Sequence, residues 1–303
     1  MFLSSTYVSL PVTVILSINR AAYMWRMVSR GLDIRYLITT TPKLFTKTKE
    51  PLKDTYKKPP TTMSDTMSNT TATPDSLINR DASIKYWNNM PATAGGMLAM
   101  LGSYPWYTRI DLRGSKAFLA KARRLVPGCS TEGKMKQAVD CGAGVGRVTE
   151  GFLSHVCEGV DAVEPVGKFT DVIHESQLKK DGVVGDIYTM GIEDWYPEKK
   201  YDLIWTQWCV GHLTDVQLVD YIVRCREALN ETGILVLKEN LSTDLDGVDM
   251  YDDEDSSVTR TDEKFRKIFK ETGMNVILSE IQGGIPKTMK LLPVRMYALR
   301  PMN

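Results

Sequence analysis

Between Ala138 and Lys238, short apolar runs recur, most of them separated by segments of helical period, and this rhythm constrains the fold more than any other feature. Ala138–Cys141, Gly159–Glu164, Val183–Tyr188, Tyr201–Thr206 and Ile234–Lys238 each read as a buried strand. Val145–Val156, Phe169–Leu178 and Asp215–Leu229 repeat apolar residues three and four apart, as one face of a helix does. Such alternation makes a parallel, doubly wound sheet, because each crossover returns the chain to the same strand direction. A helix over Glu263–Thr272, ended by Gly273, leads to two further runs, Asn275–Ile281 and Val294–Leu299. No helix separates those two, so they are expected to pair as an antiparallel hairpin at the sheet edge. Upstream, Ile84, Trp87 and Met90, then Phe118, Leu119, Ala122 and Leu125, fall at helical spacings. The expectation is an α/β fold: a mostly parallel seven-stranded sheet with an antiparallel terminal hairpin, plus N-terminal helices.

The chain has 303 residues, 43% of them hydrophobic, enough for one such domain with a full core. We divide it into an N-terminal extension, 1–80, and a folded domain, 81–303. The extension carries eleven Lys/Arg against five Asp/Glu, and the domain 27 against 32. A mildly acidic domain argues against nucleic-acid binding and suits cationic substrates. Tyr7–Ile18 is apolar but shorter than the roughly 20 residues a membrane span needs. No positive charge precedes it, which makes a poor signal peptide. The arginines that follow give only a faint likeness to a mitochondrial presequence; Met63 and Met67 are alternative starts, and residues 41–78 have a disordered composition. Five cysteines with no CxxC pair read as free thiols in a reducing compartment, hence a cytoplasmic, or also nuclear, protein. The Asn-x-Ser/Thr matches at Asn69, Asn230 and Asn240 then carry no glycans.

Ligands of open α/β sheets bind at the carboxyl ends of the strands. After the first strand stands Asp140-Cys141-Gly142-Ala143-Gly144-Val145-Gly146-Arg147, whose glycines let the backbone turn tightly and approach a ligand closely. Glu164 ends the second strand, where its carboxylate can accept from both hydroxyls of a ribose. Together they resemble the first motif of class I S-adenosylmethionine methyltransferases, a Rossmann-like fold. Ile192-Glu193-Asp194 fits the adenine side of such a site. A glycine turn alone is weak evidence; a nicotinamide enzyme and a nucleotide-free domain are the competing readings. After the fourth strand comes Trp205-Thr206-Gln207-Trp208-Cys209-Val210-Gly211-His212-Leu213-Thr214-Asp215: two indoles, an amide and an imidazole beside a ligand-binding edge. Trp205 is read as core, with Gln207 left for the cofactor and Trp208 as the better ligand platform.

Tyr86-Trp87, Leu101-Gly102-Ser103-Tyr104, Asp140–Arg147, Trp205–Asp215, Lys238-Glu239-Asn240 and Asp255-Ser256-Ser257-Val258-Thr259-Arg260 together resemble the protein N-terminal α-amine methyltransferases. Members of that family methylate the exposed amine of X-Pro-Lys/Arg chains, and the resemblance covers about residues 83–300. It implies S-adenosylmethionine as cofactor, held by Gly142, Arg147, Glu164, Pro165, Val166, Ile192, Glu193 and Gln207. It implies substrate contacts from Tyr86, Trp87, Leu101, Gly102, Trp208, Asn240, Asp252 and Ser257, with His212 and Asp255 as proton acceptors. Protein substrates of ribosome or chromatin follow from the family, with no nucleic acid, membrane or metal. Ser103 departs from the family's Leu-Gly-Gly-Tyr turn, three residues are inserted near Ala99, and Leu292 stands where a tyrosine is expected.

The chemistry suits these residue types. An α-amine has a pKa near 8 and must lose its proton before it attacks a sulfonium methyl. An imidazole titrates in the right range, and a carboxylate can orient the ammonium. Residues 244–255 hold seven acids in twelve positions, a run that would attract a Lys or Arg at the substrate's third position. The run lacks the EF-hand spacing, so no metal is implied. Two other functions compete: a small-molecule amine methyltransferase, and a cofactor-binding partner protein without catalysis.

Overall fold

The computed structural model describes residues 72–302. The expectations about the apolar N-terminal stretch, the presequence and the starts at Met63 and Met67 lie outside those residues. Residues from Thr73 onward form one compact unit. The segment 72–80, assigned above to the extension and in part to disorder, is ordered. Pro74–Leu77 winds a 3-10 turn, and Asp75 Oδ2 accepts the backbone N–H of Asp215 at 3.0 Å. Asp215 opens a long helix, so the carboxylate satisfies an orphan donor and meets the positive end of the helix dipole. Composition hid this because the partner lies 140 residues away.

Helix α1 (Arg80–Asn89) starts where the Asn79 side chain accepts from Ala82 N at 3.0 Å. A 3-10 segment, Gly96–Ser103, leads to α2 (Pro105–Arg124). Only Ser83 of α1 is buried, so Ile84 and Trp87 do not join the core; they face a cleft. Phe118, Leu119 and Ala122 are buried on α2 as their spacing suggested, but Leu125 is exposed, because the helix ends one residue before it.

Strands β1 (Met135–Cys141), β2 (Cys157–Val163), β3 (Val184–Tyr188), β4 (Tyr201–Gln207) and β5 (Leu229–Asn240) pair in parallel. Later come β6 (Met250–Asp252), β7 (Ser257–Thr259), β8 (Met274–Ile281) and β9 (Val294–Pro301). The main sheet has seven strands in the order β3-β2-β1-β4-β5-β9-β8. The terminal hairpin is antiparallel as expected. Its last strand is internal, however, since β9 sits between β5 and β8. Val294, Met296, Ala298 and Leu299 make β9 apolar enough for the interior, whereas β8 carries Asn275, Ser279 and Glu280 and takes the edge.

The segment expected as a regular helix after the glycine turn contains a π-turn, Thr149–Leu153, before it ends as Ser154–Val156; we label the whole α3. Helices α4 (Gly167–Glu175), α5 (Gln177–Lys180), α6 (Asp215–Ala228) and α7 (Asp262–Glu271) follow. A capping box of Thr214 and Gln217 starts α6. The core occupies both faces of the sheet. Trp195, Tyr221, Phe265, Phe269 and Tyr297 belong to one cluster, Phe118, Phe152 and Trp205 to a second, and Ala143, Ala162, Ile173 and Val184 to a small third. Trp205 is fully buried, edge-on to Phe152 at 4.8 Å. The chain runs β1 to β3 on one side and then returns to β4 on the other side of β1. The loops leaving β1 and β4 therefore diverge and open a crevice at that switch point.

Candidate active site

A cleft of about 960 Å³, counting its open mouth, lies in this crevice. Gly142, Gly144 and Gly146 all have positive φ, a region glycine enters without steric cost. The space is needed: a Cβ on Gly142 would stand 2.5 Å from the Cys209 Cβ, and one on Gly144 2.6 Å from the Met97 sulfur. Glu164 projects from the end of β2 against this turn. Its Oε2 accepts from Gly144 N and its Oε1 from Val166 N, each at 2.9 Å. Burial pushes its pKa up to about 7 against the pull of those two amides. Each oxygen keeps a lone pair for a further donor.

Gly142, Arg147, Glu164, Pro165, Ile192, Glu193 and Gln207 all line the cleft, as the resemblance implied. Val166 does not; it is buried behind the wall and contributes the N–H that orients Glu164. Arg147 Nη1 donates to Asp111 Oδ2 at 2.7 Å, and Gln207 Nε2 to Asp111 Oδ1 at 3.1 Å. The carboxylate of Glu193 pairs with Arg80 Nε at 2.8 Å, and Asp194 pairs with Arg80 Nη2 at 2.7 Å. Arg80 thus straps α1 to the loop after β3. Arg80, Ser83 and Met97 also line the cleft and were missed, because nothing local marks an N-terminal helix as a cofactor wall.

These groups fit S-adenosylmethionine. Glu164 offers acceptors for a ribose diol, and Arg147 offers a cation for a carboxylate. Ile192 and Phe169 supply apolar wall for a flat base.

A second chamber adjoins the cleft. Trp87, Met97, Trp208 and His212 line both, so they form the partition between them. Leu101, Asn240, Asp255 and Ser257 line the second chamber as anticipated, along with Tyr107 and Glu239, which were not. Gly102 is not in its wall. A Cβ there would stand 2.1 Å from Gly95 O, so Gly102 lets two backbone segments touch and shapes the loop. Asp252 is exposed on β6 and accepts from Glu254 N at 2.9 Å, outside the wall. Tyr86 meets Trp87 edge-on at 5.2 Å. Burial, then Glu254, Asp255 and Asp252, push its phenol up to about 12, so it lies against the acidic segment. That acidic segment leads into the β6–β7 hairpin, whose turn carries Asp255.

Trp208 has φ 53, costly for so bulky a residue. Its own N–H donates to Lys238 O at 3.1 Å. Glu239 Oε1 accepts the N–H groups of Cys209 and Val210 at 2.8 and 3.1 Å, which holds the turn. Tyr107 stacks near the Trp208 ring at 6.4 Å. Trp208 Nε1 is sealed from solvent and has no partner among the described residues.

His212 and Asp255 differ in a way their spacing did not reveal. The Trp87 indole donates to His212 Nε2 at 3.1 Å. An indole can only donate, so Nε2 is the acceptor; the proton sits on Nδ1, which donates to Ser83 Oγ at 2.9 Å. Both ring nitrogens are engaged. Asp255 Oδ1 is buried without any partner among the described residues. Burial raises its pKa, opposed by His212 and by a hydrogen bond from Ser257. A buried, orphaned carboxylate oxygen calls for a donor that arrives with a ligand.

A family model described as AdoMet-dependent proline di-methyltransferase matches residues 75–300. The chain is 39% identical over 221 residues to an alpha N-terminal protein methyltransferase 1 of Schizosaccharomyces pombe, covering 72% of this chain and 94% of that protein. It is 40% identical over 235 residues to the protein of that name from Drosophila melanogaster, covering 77% and 79%. It is 41% identical over 204 residues to the N-terminal Xaa-Pro-Lys N-methyltransferase 1 of Xenopus tropicalis, covering 67% and 87%. Among solved structures, a SAM-dependent methyltransferase from Leishmania major superposes with a TM-score of 0.64 at 32% identity, covering 73% of this chain and 82% of that one.

Proposed function

The chain belongs to the AdoMet-dependent proline di-methyltransferase family, and from that premise we propose that it methylates the α-amine of proteins whose exposed N-terminus reads X-Pro-Lys/Arg. The observation that carries this reading is the orphaned Asp255 Oδ1 in a chamber that shares a wall with the cofactor cleft. An ammonium is the donor this oxygen lacks, and the shared wall brings the amine beside the reactive methyl.

When bound, the cofactor would supply an electrophilic methyl on its sulfonium, to which the amine nitrogen would bond as the methyl–sulfur bond breaks and the thioether leaves. At pH 7 an amine of pKa near 8 is about one-tenth neutral, so freeing the lone pair costs only about 1.4 kcal/mol. Holding two reactants in attack geometry is worth roughly 7–11 kcal/mol. Positioning therefore dominates, and proton removal is the smaller task. Asp255 holds the ammonium and accepts its proton. His212 receives a proton only if Nε2 gives up the Trp87 indole, so substrate entry must displace that bond before the ring joins the relay. Trp208 offers its face to the proline ring, and Asn240, at the end of β5, can donate to the first substrate carbonyl. The acidic run 244–255, with Asp252 exposed on it, draws the cationic third residue toward the chamber. Ribosomal and chromatin proteins with basic N-termini are the proposed substrates, in cytoplasm and nucleus.

The test uses S-adenosylmethionine, a peptide beginning Ala-Pro-Lys, and its N-acetylated twin. Mass shifts of one or more methyl groups on the free peptide alone are expected. Equal reaction of both peptides, or of neither, refutes the proposal.

A further inference from the structure

A sealed ionic cluster lies against the partition between cleft and chamber. Asp111, on α2, is 2% exposed, and Lys238, on β5, is fully buried. The Lys238 ammonium donates to Asp111 Oδ1, to Ser115 Oγ at 2.9 Å and to Gln282 Oε1 at 2.9 Å. The remaining partners of the Asp111 carboxylate are Arg147 Nη1 and Gln207 Nε2. Arg147 and Lys238 also lie 5.6 and 5.9 Å from the centre of the Trp208 ring. Two cations thus share one carboxylate under the platform. Burial opposes the charge on Asp111, but Lys238 and Arg147 outweigh it and hold the carboxyl below its usual range.

Stability is a weak reason for such a cluster. Apolar residues of similar volume usually match or exceed a buried ion pair, while removing one partner leaves a charge uncompensated. The arrangement gains meaning from what its donors touch. Arg147 and Gln207 form the cleft wall, and Trp208 belongs to both cavities. Asp111 pins Nη1 of the guanidinium, so it restrains a cation that lines the cleft. A ligand wall has to be held within about 0.5 Å to be effective.

We propose that Asp111 is a positioning residue for methyl transfer: through Arg147 and Gln207 it fixes the cofactor's carboxylate-binding wall, and through Lys238 and Arg147 it fixes the underside of the Trp208 platform. The proposal rests on the reading of the cleft as the cofactor site. No local sequence pattern marks Asp111, since it lies on a helix before the domain's first strand.

The experiment compares the full chain with Asp111→Asn and with a control, Tyr201→Phe. The control removes a buried hydrogen bond to Asp161 at the opposite end of β4, away from both cavities. S-adenosylhomocysteine affinity is measured by calorimetry, kcat and peptide KM by turnover, and Tm by thermal melting. Asp111→Asn should bind S-adenosylhomocysteine at least ~10-fold more weakly and lose ~100-fold in kcat at saturation, since a small misplacement of reacting groups has that effect. Tyr201→Phe should lower Tm with affinity and kcat unchanged. Affinity and kcat within twofold of the parent in Asp111→Asn overturn the proposal. So do losses in Asp111→Asn that merely track its folded fraction. If Asp111→Asn does not fold, the pair Asp111→Leu/Lys238→Met replaces the ions with apolar volume; a folded pair variant with parental activity also overturns it. A parent chain that binds no S-adenosylhomocysteine removes the cofactor reading itself, a result distinct from any variant effect.

Discussion

Lowering the pH through 7 should release the cofactor, because Glu164 titrates there. Its carboxyl sits at the end of β2, where burial pushes the pKa up to about 7. Both oxygens already accept a backbone N–H, so what remains for the ribose is one lone-pair direction on each. Hydroxyls that donate to those positions favour the ionised form. Binding is thus strongest above pH 7 and weakens as the group takes up a proton. Below pH 7 the affinity should fall about tenfold per pH unit, or about 1.4 kcal/mol. An ordinary glutamate, titrating near 4.3, would leave affinity flat over this range. The same shift has the opposite sign for folding: a raised carboxyl pKa means the folded state binds more protons, so this group lowers stability as pH rises from about 4.3 toward 7. Glu164→Gln should abolish the pH dependence. It also loses a charge-assisted hydrogen bond and sets an amide N–H₂ against a backbone N–H, weakening binding by about 2–3 kcal/mol, roughly 30- to 150-fold. Calorimetric titration of S-adenosylhomocysteine from pH 5.5 to 8.5 reads both. A Kd that stays level between pH 6 and 8 in the parent chain refutes the reasoning, as does a slope that survives in Glu164→Gln.

Other perturbations separate the remaining roles. Asp255→Asn should lower kcat about 100-fold with cofactor affinity unchanged, read by peptide turnover alongside calorimetry; a drop in cofactor affinity instead would place Asp255 in the wrong cavity. Trp208→Ala removes the platform and should raise peptide KM by ten-fold or more, on the order of the ~2 kcal/mol of a buried aromatic side chain; an unchanged KM would exclude it as the proline contact. Gly102→Ala drives a Cβ into the Gly95 carbonyl and should raise peptide KM more than cofactor Kd, which steady-state kinetics at saturating cofactor will test. Thr261→Ala deletes the cap that accepts from Lys264 N at 3.1 Å, which should cost about 1 kcal/mol and lower Tm by roughly 2–4 °C at constant kcat.

The sheet was largely legible in the sequence, because a strand buried on both faces must be apolar throughout and a crossover helix must show its period. The glycine turn was legible for a similar reason: Gly142, Gly144 and Gly146 occupy positive φ values that penalise side chains. Trp205 is core as expected, but strand alternation does not separate it from Gln207: the two lie two apart on one face of β4, and the Trp205 indole donates to Gln207 Oε1 at 3.1 Å. The loop-borne part of the site was less legible. The β6–β7 hairpin hid inside an acidic run whose charge dominates any strand pattern. The inward place of β9 was hidden too, since a hairpin can pair in the same register at the edge or inside it.

Local periodicity and turn chemistry determine which segments are strands, which are helices and where the glycine turn lies. What they leave open is the partner of each polar group. The Trp87 indole reaches His212 across 125 residues, and Lys238 reaches Asp111 across 127. Those separations in sequence close only when α2 packs on a face of the sheet and α1 lies along the cleft. That packing leaves His212 engaged and Asp255 Oδ1 without a partner among the described residues, and buries Asp111 between two cations. A residue's type and spacing set which hydrogen bonds it is able to make; the packing of distant elements decides which of them are already made and which await a ligand.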